Sequence, residues 1–542
     1  MSASISEFYN GKTVLVFGST TFPGKVLLEK LLRSCPNLEN IYCPIRPTTK
    51  SQIHQLSPMD TFAEIYTTKL FDRVRRNNPK FQEKIIPFDI NLLISSPTIT
   101  EAERDLDENK QLPQGVSWRK LQETIDVCFY IANNSVDFEE QNLKDMIHTN
   151  VMDLKIILTF LKTCTQLKSI VYLSSIYANI DCPYIDECIY PCLIDPQKLV
   201  DALDWMDKDM VALATPKLIG PKPNAFTFSH WLAETILAEE QKHLPSISIV
   251  RVSIIGAAWK EPYPGWVEKS DGPSELFVAA GRGYLRSMKS DSNDILDIVP
   301  VDIPVNLLIA ASWEKYHEEN RERLTIYHCT SSGLNPFHWQ EMSNYFTEYS
   351  KRIPYEHAFR RPNLSMTSHS LIHDSYVFFS HLIPAHLADI GLRLIGRKAH
   401  VVNIYKNLHR ILLGLESFTH RGEIQCSYDS LNSLRQLVSE TNNSTEFYFD
   451  IRALHWPTYI ESYLIGTKRY VLNEDINSLN GAHKHLNNLR NIRWTFNTIV
   501  LVLLWRIFIS KRPTARNLWY FIMNFFVAKF VRFFKIFSAG NT

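Results

Sequence analysis

Residues 13–33 constrain this chain more tightly than any other stretch. Thr13-Val-Leu-Val-Phe17 is a short, mostly β-branched run of the kind that forms a strand covered on both faces. Gly18-Ser-Thr-Thr-Phe-Pro-Gly24 follows as a turn, and Lys25-Val-Leu-Leu-Glu-Lys-Leu-Leu-Arg33 then places apolar residues at helical spacing. Strand, glycine-bearing turn and helix, in that order, open a dinucleotide-binding unit and predict an α/β fold of the Rossmann type, a doubly wound parallel sheet. Gly18 permits the tight turn, and Gly24 lets the helix pack closely on the strand. Between them, where a pyrophosphate approaches the backbone, stands Thr21. Its Cβ crowds the phosphates, and Pro23 removes one amide from the loop, so nucleotide binding is expected to be weakened.

The next strand indicates which nucleotide. Asn40-Ile-Tyr-Cys-Pro-Ile-Arg46 ends in arginine and carries no acidic side chain to bind a free ribose 2′-hydroxyl. Arg46 suits a 2′-phosphate, and hence NADPH; the plainer reading is a solvated strand-end arginine.

A chain of 542 residues is too long for one core and implies two or three domains. Hydrophobic content of 45% with 21% charged residues is ordinary globular usage, and a net charge of +1 argues against a nucleic-acid partner. The nine cysteines form no CxxC pair and no zinc-like spacing with histidine, so no metal site is expected. The N-terminus lacks a basic segment followed by an apolar one, so no signal peptide is read. The Asn-x-Ser/Thr matches at Asn133 and Asn443 are then chance.

Several segments together resemble the alcohol-forming fatty acyl-CoA reductases, which are extended short-chain dehydrogenase/reductases. The resemblance begins at Gly18 and runs through Arg46-Pro47. Phe88-Asp89-Ile90 is similar to the segment that meets the adenine, and 131–138 to the loop after the fourth strand. Asn150-Val151 opens a helix as in the family, although Asp153 replaces a usual glycine. Tyr172-Leu-Ser-Ser-Ile-Tyr177 resembles the strand bearing the catalytic Ser/Thr. The most specific matches are 249–266, the following Asp271-Gly-Pro, and 299–306. Residues 383–396 and 456–470 resemble the start and end of the family's helical C-terminal domain. Coverage extends from about residue 10 to 540.

This resemblance implies NADPH as cofactor, long-chain fatty acyl-CoA as substrate, and a four-electron reduction to fatty alcohol and free CoA through a bound aldehyde. It also implies a catalytic Ser/Thr, Tyr and Lys. By position the first is Ser175, with Ser174 as the adjacent candidate. The Tyr and Lys positions, four apart, are Phe226 and His230. A phenyl ring donates no proton, and loss of a positioned general acid removes a factor of about 10² to 10⁴. His230 is either a substitute donor or a helix residue lining a repurposed cleft. The cofactor-binding positions are Gly18, Thr21, Gly24, Arg46 and Asp89. The rival to the enzyme is a non-catalytic acyl-CoA-binding or regulatory membrane protein on the same scaffold.

At the other end, Trp494–Ile509 holds 15 uncharged residues of 16, short of the roughly 20 needed for a span. Arg506 stands near its end, able to snorkel. Lys511, Arg512 and Arg516 interrupt the run. Farther on, Lys529, Arg532 and Lys535 alternate with phenylalanines as in an interfacial helix. The expected organisation is a reductase domain over 1–350, a helical domain over 355–480 and a membrane anchor over 490–540. The catalytic part would face the cytosol, at the endoplasmic reticulum or the peroxisome; the C-terminal Ala-Gly-Asn-Thr is not a Ser-Lys-Leu signal.

Overall fold

The computed structural model describes residues 4–46, 49–51, 54–55, 57–94, 118–132, 142–192, 194–268, 273–291, 293–317, 324–419, 423–441, 445–506, 512–514, 516–521 and 524–525. Several residues read above lie outside these: Asn133, Asn443, 133–138, 271–272, Lys511, Lys529, Arg532 and Lys535.

Seven strands form one sheet: β1 (Thr13–Phe17), β2 (Asn40–Ile45), β3 (Ile85–Asp89), β4 (Ile125–Ile131), β5 (Ser169–Ser175), β6 (Ser246–Val252) and β7 (Leu324–Cys329). Their order across the sheet is β7-β6-β5-β4-β1-β2-β3, and every pairing is parallel. Winding starts in the middle, runs out to β3, returns past β1 to β4 and proceeds to β7. The reversal between β1 and β4 opens the crevice where doubly wound sheets bind their ligands.

The strands are apolar on both sides because both faces are covered. Val14 and Val16 belong to one core, Leu15 and Phe17 to the other, as the two-residue period of a strand requires. Helices α1 (Phe22–Ser34) and α4 (Asp302–His317) cover the first face. Helices α2 (Asp153–Leu161) and α3 (Ala225–Glu240) cover the second. A single π turn, His148–Met152, leads into α2.

Beyond the sheet lie α5 (Ser370–Val377), α6 (Ile383–Leu394), α7 (Val401–Thr419), α8 (Trp456–Gly466) and α9 (Leu479–Leu504). The first core continues without a break into this region, where Leu408, Phe418, Tyr459 and Tyr463 join Val250 and Ile309. Gly265, at φ +73°, and Gly466 let the backbones of α8 and the 256–266 segment touch, because a Cβ at Gly466 would overlap the Gly265 carbonyl. Two ion pairs are buried, one joining the sheet to α3 and one local to the segment after α8. Arg251 on β6 grips Glu234 of α3 at 2.7 Å, and Lys468 meets Glu474 at 3.0 Å. Among the described residues no helix is long and apolar enough to cross a membrane, and α9 is exposed along its apolar C-terminal half.

Candidate active site

The turn after β1 has the backbone shape of a nucleotide loop. Gly18 sits at φ +71° against the end of β4, where a Cβ would overlap the Ile131 carbonyl. A Cβ at Gly24 would in turn overlap the Gly18 carbonyl, so α1 is seated directly on its own turn. Thr21 is the N-cap of α1. Its hydroxyl donates to Gly18 O at 2.7 Å and accepts from the Gly24 N–H at 3.2 Å, while its own N–H bonds Gly18 O at 3.0 Å. A helix N-terminus holds phosphate through free amides. Here the Thr21 and Gly24 amides are engaged within the turn and Pro23 has none. The loop fits a dinucleotide in shape and falls short in donors.

The adenosine side follows the same pattern. Arg46 stands just past β2 and is half exposed, yet its Nη2 is ion-paired with Oδ2 of Asp153 at the start of α2. Burial raises the Asp153 carboxyl above its ordinary range, and the hydrogen bond and charge of Arg46 pull it back. The arginine expected to meet a 2′-phosphate is therefore already paired with an anion. Asp89 closes a local turn by accepting from the Asn91 N–H at 2.8 Å.

The two serines at the end of β5 separate cleanly. Ser174 is fully buried and donates to Glu234 Oε1 at 2.6 Å, joining the Glu234–Arg251 pair. Ser175 lies on the opposite strand face, the side of Val171, Leu173 and Phe226. Its Oγ accepts from the Tyr177 N–H at 3.3 Å, and among the described residues its own proton has no acceptor. The structure thus brings Ser175, Phe226 and His230 to one place.

Phe226 is 2% exposed and His230 0%, their rings edge to face at 4.6 Å. Phe418, at the end of α7, comes within 6.3 Å of Phe226 and 4.7 Å of Tyr177, centroid to centroid. An aromatic side chain of the helical region thereby covers the position where a proton donor is expected. Tyr177 offers no substitute: burial first, then the charge of Asp297, holds its phenol well above the ordinary value.

Three polar groups of the site, Lys222, Asn179 and Ser229, gave no sequence signal, and Asn150 was read only as a helix opening. Lys222, just ahead of α3, is buried, with Nζ 2.7 Å from Ala178 O, 2.6 Å from Asp181 Oδ1 and 4.3 Å above the Trp231 ring. Asn150, inside the π turn, donates to Ser229 Oγ at 3.0 Å, and its Oδ1 has no partner among the described residues. Asn179 is fully buried with neither amide atom bonded among them. Ser229 stands beside His230. Such features depend on what the fold brings near, although a lysine one turn before a predicted catalytic helix could have been flagged.

Two family models, both described as male sterility protein, match the chain, an NAD-binding one over residues 16–308 and a second over 380–474. Fatty acyl-CoA reductase 1 of Gallus gallus is 42% identical over 540 residues, 99% of each chain. Fatty acyl-CoA reductase 1 of Homo sapiens is 41% identical over 540 residues, again 99% of each. Fatty acyl-CoA reductase 2 of Mus musculus is 36% identical over 539 residues, also 99% of each. Among solved structures, the reductase domain of a nonribosomal peptide synthetase from Mycobacterium tuberculosis superimposes with a TM-score of 0.54 at 15% identity, covering 86% of this chain and 94% of that one. That likeness concerns the fold alone.

Proposed function

The chain belongs to the fatty acyl-CoA reductase family, and from that membership we propose that it acts on long-chain fatty acyl-CoA with NADPH, reducing it to fatty alcohol and CoA. Identity above 40% to reductases of matching length carries this reading. NADPH supplies hydride when bound. Gly18 and the head of α1 would receive its phosphates, and Arg46 its 2′-phosphate once released from Asp153.

The chain's own groups divide the remaining work unevenly. Ser175 Oγ–H is placed to hold the carbonyl oxygen of thioester and then aldehyde. Phe226 supplies no proton, so the oxygen must take one from His230 or from water. His230 replaces a lysine and would orient the nicotinamide ribose by hydrogen bonding more than by charge. The C-terminal residues from 490 onward attach the protein to a membrane, with the reductase part on the cytosolic side of the endoplasmic reticulum or the peroxisome. Long-chain acyl groups reside in or near such bilayers.

The Phe226–Phe418 contact favours a second reading, in which the scaffold binds acyl-CoA without reducing it. Purified full-length protein given palmitoyl- or stearoyl-CoA discriminates. NADPH oxidation with fatty alcohol formed supports the reductase, while acyl-CoA binding with no oxidation supports the second reading.

A further inference from the structure

A cavity of about 1180 Å³ lies between α5–α6 and α9, and its lining includes neither Ser175 nor Phe226. Its walls carry Arg286, Arg360, Arg361, Arg490 and Arg493, none ion-paired with a carboxylate among the described residues. Arg286 is 8% exposed, and its Nε has no hydrogen-bond partner among the described residues. Among the described residues its guanidinium makes one long contact, from Nη1 to Ser380 Oγ at 3.4 Å. Arg360 donates from Nη2 to Ser380 O and to Tyr405 OH at 2.9 Å, leaving its Nε unbonded as well. Burial lowers the Arg286 pKa, and the charges of Arg360 and Arg493 lower it further. His381 is lowered to about 4 by burial and then by the charges of Arg360, His373 and Arg286, and its Nε2 accepts the Arg286 backbone N–H at 3.2 Å. A buried Arg286 and a half-buried Arg360, like in charge and each with an unused Nε–H, call for an anion.

The surroundings indicate what carries that anion. Leu371 is 84% exposed, Leu394 83% and Trp494 68%, and Phe379, Leu387 and Phe496 also face solvent. A tunnel that enclosed a substrate chain would bury these side chains; here they form an open apolar surface along α5, α6 and the second half of α9. Charge is segregated to the same place. Residues 357–410 hold seven Arg or Lys against two acidic side chains, and 479–516 hold seven against none, in a chain whose net charge is +1. Apolar and aromatic side chains around a basic centre suit the headgroup level of an anionic bilayer.

We propose that Arg286, Arg360 and Arg493 bind the phosphate of an anionic phospholipid headgroup, and that α5, α6 and α9 lie together in the membrane interface. This deepens the reading of a membrane-attached chain and rests on it, adding α5, α6 and the Arg286–Arg360 pair, far from the C-terminus in sequence, to the attachment surface.

Full-length protein is tested by flotation with phosphatidylcholine vesicles and with phosphatidylcholine–phosphatidylserine vesicles. The unmodified chain should bind the anionic vesicles more tightly. Arg286→Gln with Arg360→Gln should cut that preference by about 10- to 100-fold, at roughly 1 kcal/mol per arginine near the surface, and leave neutral-vesicle binding unchanged. Arg490→Gln with Arg493→Gln, on exposed positions that bear no packing, should lower the preference too, which guards against misfolding of the first variant. Preference retained in both variants, or absent from the unmodified protein, overturns the proposal. So does displacement of soluble dihexanoyl phosphatidylserine by free CoA, which would make the arginines an anchor for the substrate's nucleotide. Protein that ignores all vesicles yet binds the soluble lipid also overturns the proposal, leaving a headgroup site with no membrane surface around it; binding to neither defeats the membrane reading beneath it as well.

Discussion

The Arg46 guanidinium is paired with the Asp153 carboxylate, joining the end of β2 to the start of α2 beside the nucleotide crevice. In the proposed binding mode, NADPH displaces this carboxylate or shares the arginine with it. Asp153→Asn should therefore tighten NADPH by about 3- to 10-fold and leave NADH nearly unchanged. A charge-assisted hydrogen bond is recovered, discounted because Arg46 is half exposed. Binding titrations with both cofactors measure the ratio, and an unchanged ratio would show that the pair does not limit recognition.

Thr21 makes a related prediction with two opposed readouts. Thr21→Gly removes a Cβ and frees the Gly24 amide for phosphate, which should improve NADPH affinity by up to about tenfold. The same change deletes the N-cap of α1 at a cost of only a few tenths of a kcal/mol, since glycine is itself a tolerated cap. Affinity that stays level or falls would mean that the pyrophosphate does not approach this turn as described.

These two sites show what the sequence could and could not reveal. Thr13–Phe17, Gly18 and Gly24 were legible because period and turn chemistry act over a few residues, and the parallel sheet followed from them. Asp153 was legible as a departure from glycine, but its pairing with Arg46 spans 107 positions and exists only once β2 and α2 are adjacent. Phe418 gave no hint that it would lie over Phe226. Ser175 was read by position with Ser174 left as the adjacent candidate, and strand alternation separated them by turning Ser174 towards Glu234. The arginines about the lower cavity are scattered from 286 to 493 and form a cluster only in three dimensions.

Acid sensitivity should track His328. It is buried on β7, its Nε2 accepting from Arg251 Nη1 at 3.2 Å and its Nδ1–H donating to Ser427 O at 2.8 Å. Burial first, then the Arg251 charge, lowers it from the ordinary 6.5 to about 3. Unfolded chains take up this proton near pH 6.5 and folded ones only near 3. Its contribution is thus complete above about 6.5 and is lost as pH falls towards 3, at up to about 1.4 kcal/mol per pH unit. His328→Gln keeps a donor and an acceptor but does not titrate. Denaturant unfolding across this range should give a shallower acid slope in the variant, and an identical slope would place the sensitivity elsewhere.

The remaining prediction concerns the covered centre. Phe226→Tyr restores a phenol beside Ser175, and His230→Lys restores a cation that lowers its pKa and holds the ribose. Together they should raise acyl-CoA-dependent NADPH oxidation by about 10² to 10⁴ over the unmodified protein. The tyrosine alone should restore less, because a phenol without its neighbouring ammonium keeps a high pKa, and the two gains should be non-additive. His230 is fully buried, so the new lysine must find a partner or destabilise the fold, and a melting curve reports which. Phe418→Ala adds the third arm. If Phe418 blocks approach to residue 226, this change should multiply the activity of the double variant and do nothing for the parent. A parent that is fully active until His230→Ala abolishes turnover would make His230 the working acid. A triple variant that binds cofactor and acyl-CoA yet stays inert would mean that the lost chemistry extends beyond these positions, to the engaged amides of the turn or to Asp153.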